Sequence, residues 1–489
     1  NQSHHHMTTP CDITIPFCIG AEHSPDLGDV AAACGLSTSQ AIASFIASEF
    51  RAAYIGFAPG FAYLDGLSPA LRIERLASPR TRVPAGSVAI AGDRAGIYPF
   101  EMPGGWRLLG RTPLKMFDPT RQHPSLIRSG DRVRFVQIDR AEFVRLNALE
   151  LAAASRPASH PLDPALRIVH PGAHSSIQDL GRTGHGNIGV PISGSMDTRS
   201  LIIANRLLGN PDTAAAIECA VGGLTIEFMR DASLAFGGAD APATLTSASG
   251  AMHEIPPWRA ISVRPGERVR FGVARTGHRI ILALGGGIDV APVLGSRSTL
   301  AHAGFGGHEG RALRAGDQLS TGTSIGAARA IALPPGFISS LRFSLNRRVL
   351  RATRDAAADP ALARAFFATT FRVMPRSDRS GVRLDPGGPL VPAELADAAA
   401  SRTLVSRRVG PGTIQCPSAS EAIALAADGP TTGGYAVVAC VATVDLPAMG
   451  QVRPGEFVRF EEVSAAEADT LLASQREWMS AALPSAISR

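Results

Sequence analysis

The sequence predicts a mainly β protein of the β-rich α+β class, with short helices flanking the sheets. The 489-residue chain contains 50 glycines and 36 prolines, a content typical of a fold with many tight turns. Long segments with the apolar period of a helix are few. One motif, a Gly-acid turn that leads into an alternating strand, occurs as GDRVRF at 130–135, GERVRF at 266–271 and GEFVRF at 455–460. Together these observations favour short strands joined by turns.

The first and last copies of this motif also share their surroundings. Each is followed by a capping box that predicts the start of a helix, at 139–142 and at 464–467. Upstream, residues 84–98 parallel residues 417–435, because both stretches end in Gly-Ile-Tyr or Gly-Gly-Tyr. We therefore expect a related β-barrel module near each end of the chain, each closed by a helix. The alternative is a chance similarity of turn signals.

Length and local composition predict the domain organisation. A chain of 489 residues is too long for one core, so several domains are expected. Residues 1–7 resemble the remnant of a purification tag and are set aside. The proline-rich stretch 155–164 predicts a linker. It separates a first domain, 8–154, from a second, 165–489, which we expect to contain two β subdomains.

The first domain is predicted element by element. Residues 11–20 alternate as a strand does, and Asp26 and either Ser37 or Ser39 are candidate N-caps for two short helices. Residues 55–67 form a loop rich in glycine, proline and aromatic side chains. Short strands joined by tight turns are expected in 83–99, 102–117 and 128–138. A helix that ends near residue 154 completes the domain.

The second domain is expected to continue with strands and turns. A helix is predicted over 197–208 and an alanine-rich helix over 355–370. Its most loop-like, polar parts are predicted at 280–288, 294–300 and 304–317.

Charge and composition exclude several classes of function. The formal charge of +6 is spread thinly without a Lys/Arg run, so nucleic-acid binding is not expected. No apolar run reaches the length of about 18 residues that spans a bilayer. The single lysine, Lys115, follows leucine, which excludes a Walker A loop and leaves almost no room for Schiff-base chemistry or a biotin-carrier lysine. The six cysteines lack a CxxC pair, which favours a reducing cytoplasm, and the histidines lack metal-ligand spacing, so no metal is expected.

The stretch 178–197, QDLGRTGHGNIGVPISGSMD, is the strongest candidate for a ligand-binding loop. Five glycines in twenty residues indicate positive φ angles or close backbone approach. A helix beginning after Asp197 would turn its free N–H groups towards the loop, which suits a carboxylate or phosphate. Six polar side chains of this stretch could face one small molecule: Gln178, Asp179, Arg182, Ser193, Ser195 and Asp197. The alternative is a well-capped surface turn.

Several of these segments, in order, resemble two known families. The segments that resemble the allophanate hydrolase subunit 1 family, also called the sporulation-kinase-inhibitor family, are 55–67, 83–99 and 103–113. Those that resemble the allophanate hydrolase subunit 2 family, which is biotin-dependent carboxyltransferase-like and urea amidolyase-related, are 178–197, 204–218, 295–299, 377–384 and 429–435. The chain is similar to a fusion of the two subunits, with the first-subunit part truncated at its N-terminal α/β portion.

The resemblance implies cyclophilin-like barrels and one of several activities. The favoured activity is that of a 5-oxoprolinase component, a hydrolase of cyclic amide C–N bonds that uses ATP, with Mg²⁺, and a third subunit. The first alternative is a carboxyltransferase component that moves carboxylate from carboxybiotin to urea or a similar amide. The second is a regulatory protein that binds a sensor kinase. Because no biotin-carrier or ATP-grasp portion accompanies the chain, 5-oxoprolinase-type chemistry fits better. A cytoplasmic oligomer is expected.

Two departures from the family pattern concern the first-subunit part. Relatives carry a further α/β domain before the segment that begins at Cys11, and they usually have a histidine where this chain has Phe45.

The expected chemistry is the activation of an amide or urea group beside a carboxylate or phosphoryl donor. The proposed catalytic residues are Gln178, Asp179, Arg182, Asp197 and Tyr98. The proposed substrate-binding residues are Ser195, Arg297, Ser298, Arg379, Gln415, Gly433, Gly434, Tyr435, Gly60, Phe61 and Tyr63. Carboxylates and amides would hold N–H groups, arginines would pair with carboxylate or phosphate, and tyrosines would donate to an oxyanion. The alternatives are ion pairs for the arginines and core packing for the tyrosines.

Two further local features are predicted to be structural. Residues 103–106 are expected to form a hairpin corner with a buried indole rather than a lid, and Glu218 is expected to pair with Asn205.

Overall fold

The protein forms two compact units in a computed structural model. The structure describes residues 10–154, 163–323, 333–390 and 407–483. The first unit spans residues 1–158 and takes in 184–190, and the second comprises 159–183 and 191–489. The tag remnant and most of the predicted linker lie outside the described residues, so the predicted domain boundaries stay a prediction.

The first unit contains nine strands and three helices among its described residues. The strands are β1 (Asp12–Cys18), β2 (Phe50–Ile55), β3 (Ala62–Asp65), β4 (Arg80–Val83), β5 (Ser87–Ala91), β6 (Arg94–Ile97), β7 (Met102–Gly104), β8 (Arg107–Arg111) and β9 (Arg132–Ile138). The helices are α1 (Leu27–Ala33), α2 (Thr38–Ile46) and α3 (Arg140–Ala154).

Seven of these strands close a barrel in the order β1-β8-β5-β6-β3-β2-β9, and β4 pairs with β7 in a separate ribbon. The predicted N-cap Ser37 forms a capping box with Gln40 at the start of α2. Phe45, on α2, is 1% exposed and packs between Phe17 and Phe135. The aromatic ring at position 45 therefore belongs to the apolar core, where an imidazole would be desolvated.

The segment 184–190 packs within the first unit, although the sequence analysis assigned it to the second domain. Ile188 lies in a parallel bridge with Ile55, and the N–H of Gly60 donates to the Ile188 carbonyl at 3.0 Å. Gly189 has φ +78°, and a Cβ there would lie 2.1 Å from the Ala58 carbonyl oxygen. The close approach explains why glycine is needed at this position.

The second unit begins with two sheets. The strands of the seven-stranded sheet, in spatial order, are β16 (Met252–Glu254), β15 (Ala243–Thr246), β18 (Arg268–Phe271), β13 (Leu224–Phe228), β10 (Leu166–Pro171), β21 (Gln318–Thr321) and β20 (Ile288–Asp289). Those of the five-stranded sheet are β11 (His174–Gln178), β12 (Ala216–Ala220), β19 (Thr276–Leu284), β14 (Ala232–Asp240) and β17 (Ile261–Val263). Side chains from both sheets share one apolar core.

A second closed barrel completes this unit, with seven strands. In spatial order they are β22 (Val349–Arg354), β29 (Ala436–Val441), β26 (Thr413–Ser418), β27 (Glu421–Leu425), β24 (Gly381–Asp385), β23 (Thr370–Val373) and β30 (Phe457–Glu462). A ribbon pairs β25 (Arg407–Arg408) with β28 (Thr432–Gly433). The helices are α4 (Thr198–Leu207), α5 (Pro335–Leu345), α6 (Pro360–Ala368), α7 (Leu446–Gly450) and α8 (Ala465–Ala482).

The two barrels have the same topology, which confirms the prediction from the repeated motif. In each barrel the first strand pairs in parallel with the last, and the intervening strands follow in the same order. The motifs at 130–135 and 455–460 lead into β9 and β30, and α3 and α8 follow. The copy at 266–271 instead leads into β18 of the seven-stranded sheet.

Two details of the sequence-based predictions are wrong. Residues 84–98 cover β5 and β6, whose counterparts by topology are β26 and β27, so the match with 417–435 is displaced by one strand. Residues 280–284 are not a loop but the C-terminal half of β19, which is buried on both faces and therefore has a continuous apolar sequence.

Candidate functional site

A cavity of about 320 Å³, lined mostly by polar and charged residues, lies within the second unit. Strand β11 contributes His174, Ser176 and Gln178, which lie on one face because successive strand residues alternate. The neighbouring strands β12 and β19 and three loops complete the lining with Glu218, Ala220, His278, Arg279, Thr299, Ala301, His302, Ser377, Asp378, Arg379, Ser380 and Asp428. The cavity therefore joins the five-stranded sheet to loops of the second barrel.

An ion-pair network organises the cavity around Arg379. Its guanidinium forms a bidentate pair with Asp428, at 2.8 and 3.0 Å, and donates from Nη1 to Glu218 Oε1 at 2.6 Å. Nη2 also donates to the Gly194 carbonyl at 2.7 Å. Burial opposes the charge, but the Asp428 and Glu218 carboxylates outweigh it and raise the pKa of Arg379 above its usual range. The guanidinium N–H groups of Arg379 are therefore paired with protein carboxylates and are not free to bind the carboxylate or phosphate of a ligand.

Glu218 connects this network to the glycine-rich loop. Its Oε2 accepts from the Ser195 hydroxyl at 3.0 Å and from the Met196 N–H at 2.7 Å, and Arg279 lies 3.5 Å from Oε1. The predicted pairing with Asn205 is wrong, because the Asn205 side chain instead donates to the Ala214 carbonyl. The Glu218 carboxylate therefore holds the glycine-rich loop in place at Ser195 and Met196.

Three histidines line the cavity, and sequence reasoning missed them. Desolvation by the surrounding protein atoms lowers the pKa of His174 and His302, although both residues are partly open to solvent, and desolvation together with Arg279 and Arg453 lowers the pKa of His278 to about 4. All three imidazoles are therefore neutral near pH 7 and can accept or donate a proton. His174 could have been predicted from its spacing, because residues 174, 176 and 178 of a strand lie on the same face as one another. The described residues contain no group of three or more His, Cys, Asp or Glu side chains placed to hold a metal ion.

Gln178 lines the cavity, and its side chain contains a buried acceptor atom without a partner. The side chain is 1% exposed, and its Nε2 donates to the Ser176 hydroxyl at 2.9 Å and the Thr299 carbonyl at 3.3 Å. These two bonds fix the amide orientation, and Oε1 is buried without a hydrogen-bond partner. A buried acceptor with no partner is expected to receive a donor from a ligand or water. This atom is the most direct sign of ligand chemistry in the cavity.

Other predicted residues of the glycine-rich loop hold the local structure. Asp179 accepts from the hydroxyls of Ser296 and Ser298 and from the backbone N–H of Gly181 and Arg297. Three of these bonds tie the loop to residues 296–298, the fourth closes a turn within the loop, and together they occupy the carboxylate.

Asp197, predicted to be catalytic, is the N-cap of α4, and the helix begins where the sequence predicted it. It accepts from the backbone N–H and the hydroxyl of Ser200 and from Gln451 Nε2.

Arg182 is 1% exposed, donates to the Ser298 and Val293 carbonyls, and lies over the Phe305 ring.

The predicted residues of the first unit form an aromatic cluster. The Phe61 ring packs against Tyr63, Tyr98 and Trp106, with centroid distances of 4.9, 5.4 and 5.6 Å. Tyr98 is 1% exposed, and burial raises its pKa to about 12. Trp106 is buried, as predicted, but residues 103–106 are not a hairpin corner, because β7 pairs with β4 and β8 pairs with β5. Gly60 has φ +78° and permits the turn before Phe61.

The remaining predicted residues lie apart from the cavity lining. Arg297 donates from Nε to the Val290 carbonyl at 2.8 Å, and its backbone N–H bonds to Asp179. Gln415 lies on β26 between the core residues Ile414 and Cys416, and Gly433, which Gly434 and Tyr435 follow in the sequence, packs against its side-chain amide.

Two models of known protein families match this chain. The model of the carboxyltransferase domain, subdomains A and B, matches residues 188–462, more than half of the chain. The chain belongs to the carboxyltransferase-domain family. A second model, for subdomains C and D of the same domain, matches residues 1–127. This finding confirms the predicted fusion of two family parts.

Several similar proteins are components of 5-oxoprolinase. The C component of the Escherichia coli K12 enzyme is 33% identical over 303 residues, covering 62% of this chain and 93% of that protein. The B component of the Escherichia coli O157:H7 enzyme is 49% identical over 124 residues, covering 25% of this chain and 57% of that protein. The chain therefore spans nearly all of the first relative and little more than half of the second.

The chain is also similar to one protein of known structure and to a larger enzyme. The crystal structure of TTHA0988 superposes with a TM-score of 0.77 at 34% identity, covering 93% of this chain and 86% of that one. Urea amidolyase of Saccharomyces cerevisiae is 31% identical over 338 residues, which cover 65% of this chain but 18% of that protein. Among the described residues, no helix is long and apolar enough to cross a membrane.

Proposed function

We propose that this chain is the B/C-type component of a 5-oxoprolinase, which opens the lactam of 5-oxoproline together with a third subunit and ATP. In that reaction the ring C–N bond breaks, the carbonyl carbon gains oxygen from water and the ring nitrogen gains a proton. The similarity to the B and C components of 5-oxoprolinase supports the assignment. The observation that carries it is the buried, unpartnered Oε1 of Gln178 in the cavity.

The cavity suits the neutral lactam group of 5-oxoproline. Oε1 of Gln178 is an acceptor for a lactam N–H, and a ligand that fills this place satisfies the buried atom. Neutral imidazoles at His174 and His302 lie in the same cavity and can move a proton at the amide nitrogen. We assign Gln178 to substrate binding and these two histidines to proton transfer.

The charge of the cavity does not suit a polyphosphate. Arg379 is paired with Asp428 and Glu218, Arg279 lies beside the same glutamate, and Asp378 adds a third carboxylate to the lining. Two guanidinium groups thus face three carboxylates, while the histidines are neutral. Because this balance repels a triphosphate, we place ATP and its Mg²⁺ elsewhere in the assembled enzyme.

The test uses the full chain combined with a third subunit of the lactam-opening type. ATP consumption is measured with and without 5-oxoproline, and we expect stimulation only with the lactam. Gln178→Leu should lose most of this stimulation, whereas Gln137→Leu, at an exposed position, should retain it. Absence of stimulation in the folded wild-type complex would overturn the proposal. Normal stimulation in Gln178→Leu would remove the assigned role of that side chain.

A carboxyltransferase function is the second candidate, favoured by the identity with urea amidolyase. In this case an N–H of urea or of the biotin ureido ring would meet Gln178 Oε1. Calorimetry with free biotin and with a biotinylated carrier distinguishes the two proposals, because only the carboxyltransferase requires this ligand.

A further inference from the structure

Ser176 and Gln178 are neighbouring side chains on one face of β11, and both line the cavity. Ser176 is 2% exposed, and its hydroxyl oxygen accepts from Gln178 Nε2 at 2.9 Å. In the part of the chain that the structure describes, this is the one hydrogen bond of the Ser176 hydroxyl. Because a serine hydroxyl also has a hydrogen to donate, the Ser176 donor remains available to a ligand.

The Gln178 amide is held in one orientation. Its Nε2 donates to the Ser176 hydroxyl and to the Thr299 carbonyl, which uses both N–H groups of the carboxamide. Turning the amide over would bring Oε1 towards the Thr299 carbonyl, where two acceptors would face each other. Thr299 lines the cavity as well. Gln178 therefore keeps Oε1 as its unpartnered acceptor.

The bonded geometry limits the distance between this acceptor and the Ser176 donor. The oxygen and the nitrogen of a carboxamide lie about 2.2 Å apart. Gln178 Nε2 lies 2.9 Å from Ser176 Oγ. Gln178 Oε1 and Ser176 Oγ are therefore at most about 5 Å apart. A ligand amide also separates its nitrogen and oxygen by about 2.2 Å, so its N–H and its carbonyl can each make a hydrogen bond of about 2.9 Å to this pair.

The conformation of the ligand amide decides whether it reaches both atoms. In an open-chain secondary amide the trans peptide bond puts the N–H and the carbonyl on opposite edges. A five-membered lactam ring holds the amide cis, so that both groups lie on one edge. Among secondary amides, a lactam therefore fits the Ser176–Gln178 pair and an open-chain amide does not.

We propose that Ser176 and Gln178 recognise the edge of a cis amide. The amide N–H donates to Gln178 Oε1, and the amide carbonyl accepts from the Ser176 hydroxyl. This assignment rests on the proposed function, which brings a lactam into the cavity, and it adds the partner of the lactam carbonyl. Ser176 is then a specificity-determining residue that selects lactams over open-chain secondary amides.

Isothermal calorimetry on the full chain, without ATP or a third subunit, tests the pair with three probes that all carry a carboxylate. The first, 5-oxoprolinate, has the cis N–H and carbonyl. The second, 5-oxotetrahydrofuran-2-carboxylate, has a ring oxygen in place of the N–H. The third, N-acetylalaninate, has the same heavy atoms as 5-oxoprolinate, but one ring bond is missing and the amide is trans. We expect 5-oxoprolinate to bind, and the other two to bind at least about tenfold more weakly because each leaves a buried polar group unpaired.

Substitutions at Ser176 test the role of its hydroxyl. Ser176→Ala should weaken the binding of 5-oxoprolinate at least about tenfold and leave that of N-acetylalaninate unchanged, whereas Ser176→Thr, which keeps the hydroxyl, should retain most of the affinity. The matched control is Ser175→Ala. Ser175 lies on the opposite face of β11 and donates to the Pro171 carbonyl, so this variant should bind 5-oxoprolinate as the wild type does. Thermal unfolding establishes that each variant is folded.

Three results would overturn the proposal: equal affinity of the folded Ser176→Ala and wild-type proteins for 5-oxoprolinate, equal affinities of the wild type for the three probes, or no binding of 5-oxoprolinate. The proposed function fails separately. Lactam-selective binding that depends on Ser176, without lactam-stimulated ATP consumption in the assembled enzyme, would overturn that function and support the Ser176–Gln178 pair. Stimulated ATP consumption with equal affinities for the three probes would do the opposite.

Discussion

Removing the Arg379 guanidinium is the most informative perturbation of the cavity. Arg379→Met keeps an apolar stem of similar length but removes four hydrogen bonds, two of them to Asp428. Glu218 retains the Ser195 hydroxyl and a backbone N–H, whereas Asp428 is 6% exposed and loses its bidentate partner. Removing one partner of a buried ion pair costs about 3–5 kcal/mol, and we expect this loss of unfolding free energy in the second unit.

The assay is urea unfolding followed by tryptophan fluorescence in a Trp106→Phe background, so that Trp258 and Trp478 report on the second unit alone. The matched control is Arg376→Met. That arginine is 62% exposed and paired with Glu421, so its removal should cost less than about 1 kcal/mol.

A second substitution tests the cause of the loss. If the cost arises from a stranded carboxylate, Asp428→Asn should restore about 1–2 kcal/mol in the Arg379→Met background, because it removes the buried charge. Equal stabilities of the Arg379→Met and Arg376→Met proteins would refute the reasoning, as would a double variant no more stable than Arg379→Met.

Three further predictions concern local geometry and pH. Gly189→Ala should destabilise the first unit by more than about 3 kcal/mol, since its Cβ would lie 2.1 Å from the Ala58 carbonyl oxygen. The control Gly184→Ala, which has a similar positive φ but open space around its Cβ, should cost about 1 kcal/mol. Equal unfolding midpoints of the two variants in urea would contradict this prediction. Burial lowers the pKa of His278 from 6.5 to about 4, so its contribution to stability is complete above pH 6.5 and is lost as the pH falls towards 4. Urea titrations at pH 7 and 4.5 should show that His278→Asn removes up to about 3 kcal/mol of this pH dependence, and an unchanged dependence would exclude the histidine as its source. Asp197→Ala should cost about 1–2 kcal/mol through loss of the α4 cap, and Asp197→Asn, which keeps an acceptor, should cost less; the reverse order in thermal unfolding would contradict the cap assignment.

The local elements were predictable because their signals lie within a few residues. The capping residues Ser37 and Ser464 begin α2 and α8, and Asp197 caps α4. The repeated Gly-acid turn identified two related barrels, since strand alternation and turn chemistry depend on neighbouring residues. The prediction was wrong for residues 280–284, because a strand buried on both faces lacks the alternation that marks a half-buried one.

The candidate site was only partly predictable. Gln178 was selected for its place in a polar, glycine-rich stretch, and the structure puts it in the cavity with its Oε1 unpartnered. Asp179 and Asp197 were selected on the same grounds, yet both carboxylates are occupied by neighbouring donors. Composition cannot separate a side chain that binds a ligand from one that closes a turn, because both need the same polar groups.

By itself, the sequence determined the mainly β class, the pair of related barrels, the starts of α2, α3, α4 and α8, and the membership of the carboxyltransferase-domain family. These properties depend on local patterns of turns, caps and alternation. Only the tertiary structure decided which polar groups are left without partners. His174, His278 and His302 come from distant parts of the chain, and Gln178 Oε1 differs from saturated acceptors only through its three-dimensional surroundings. Hydrogen-bond saturation and desolvation depend on every atom within a few ångströms, and the sequence order of the residues does not specify that set.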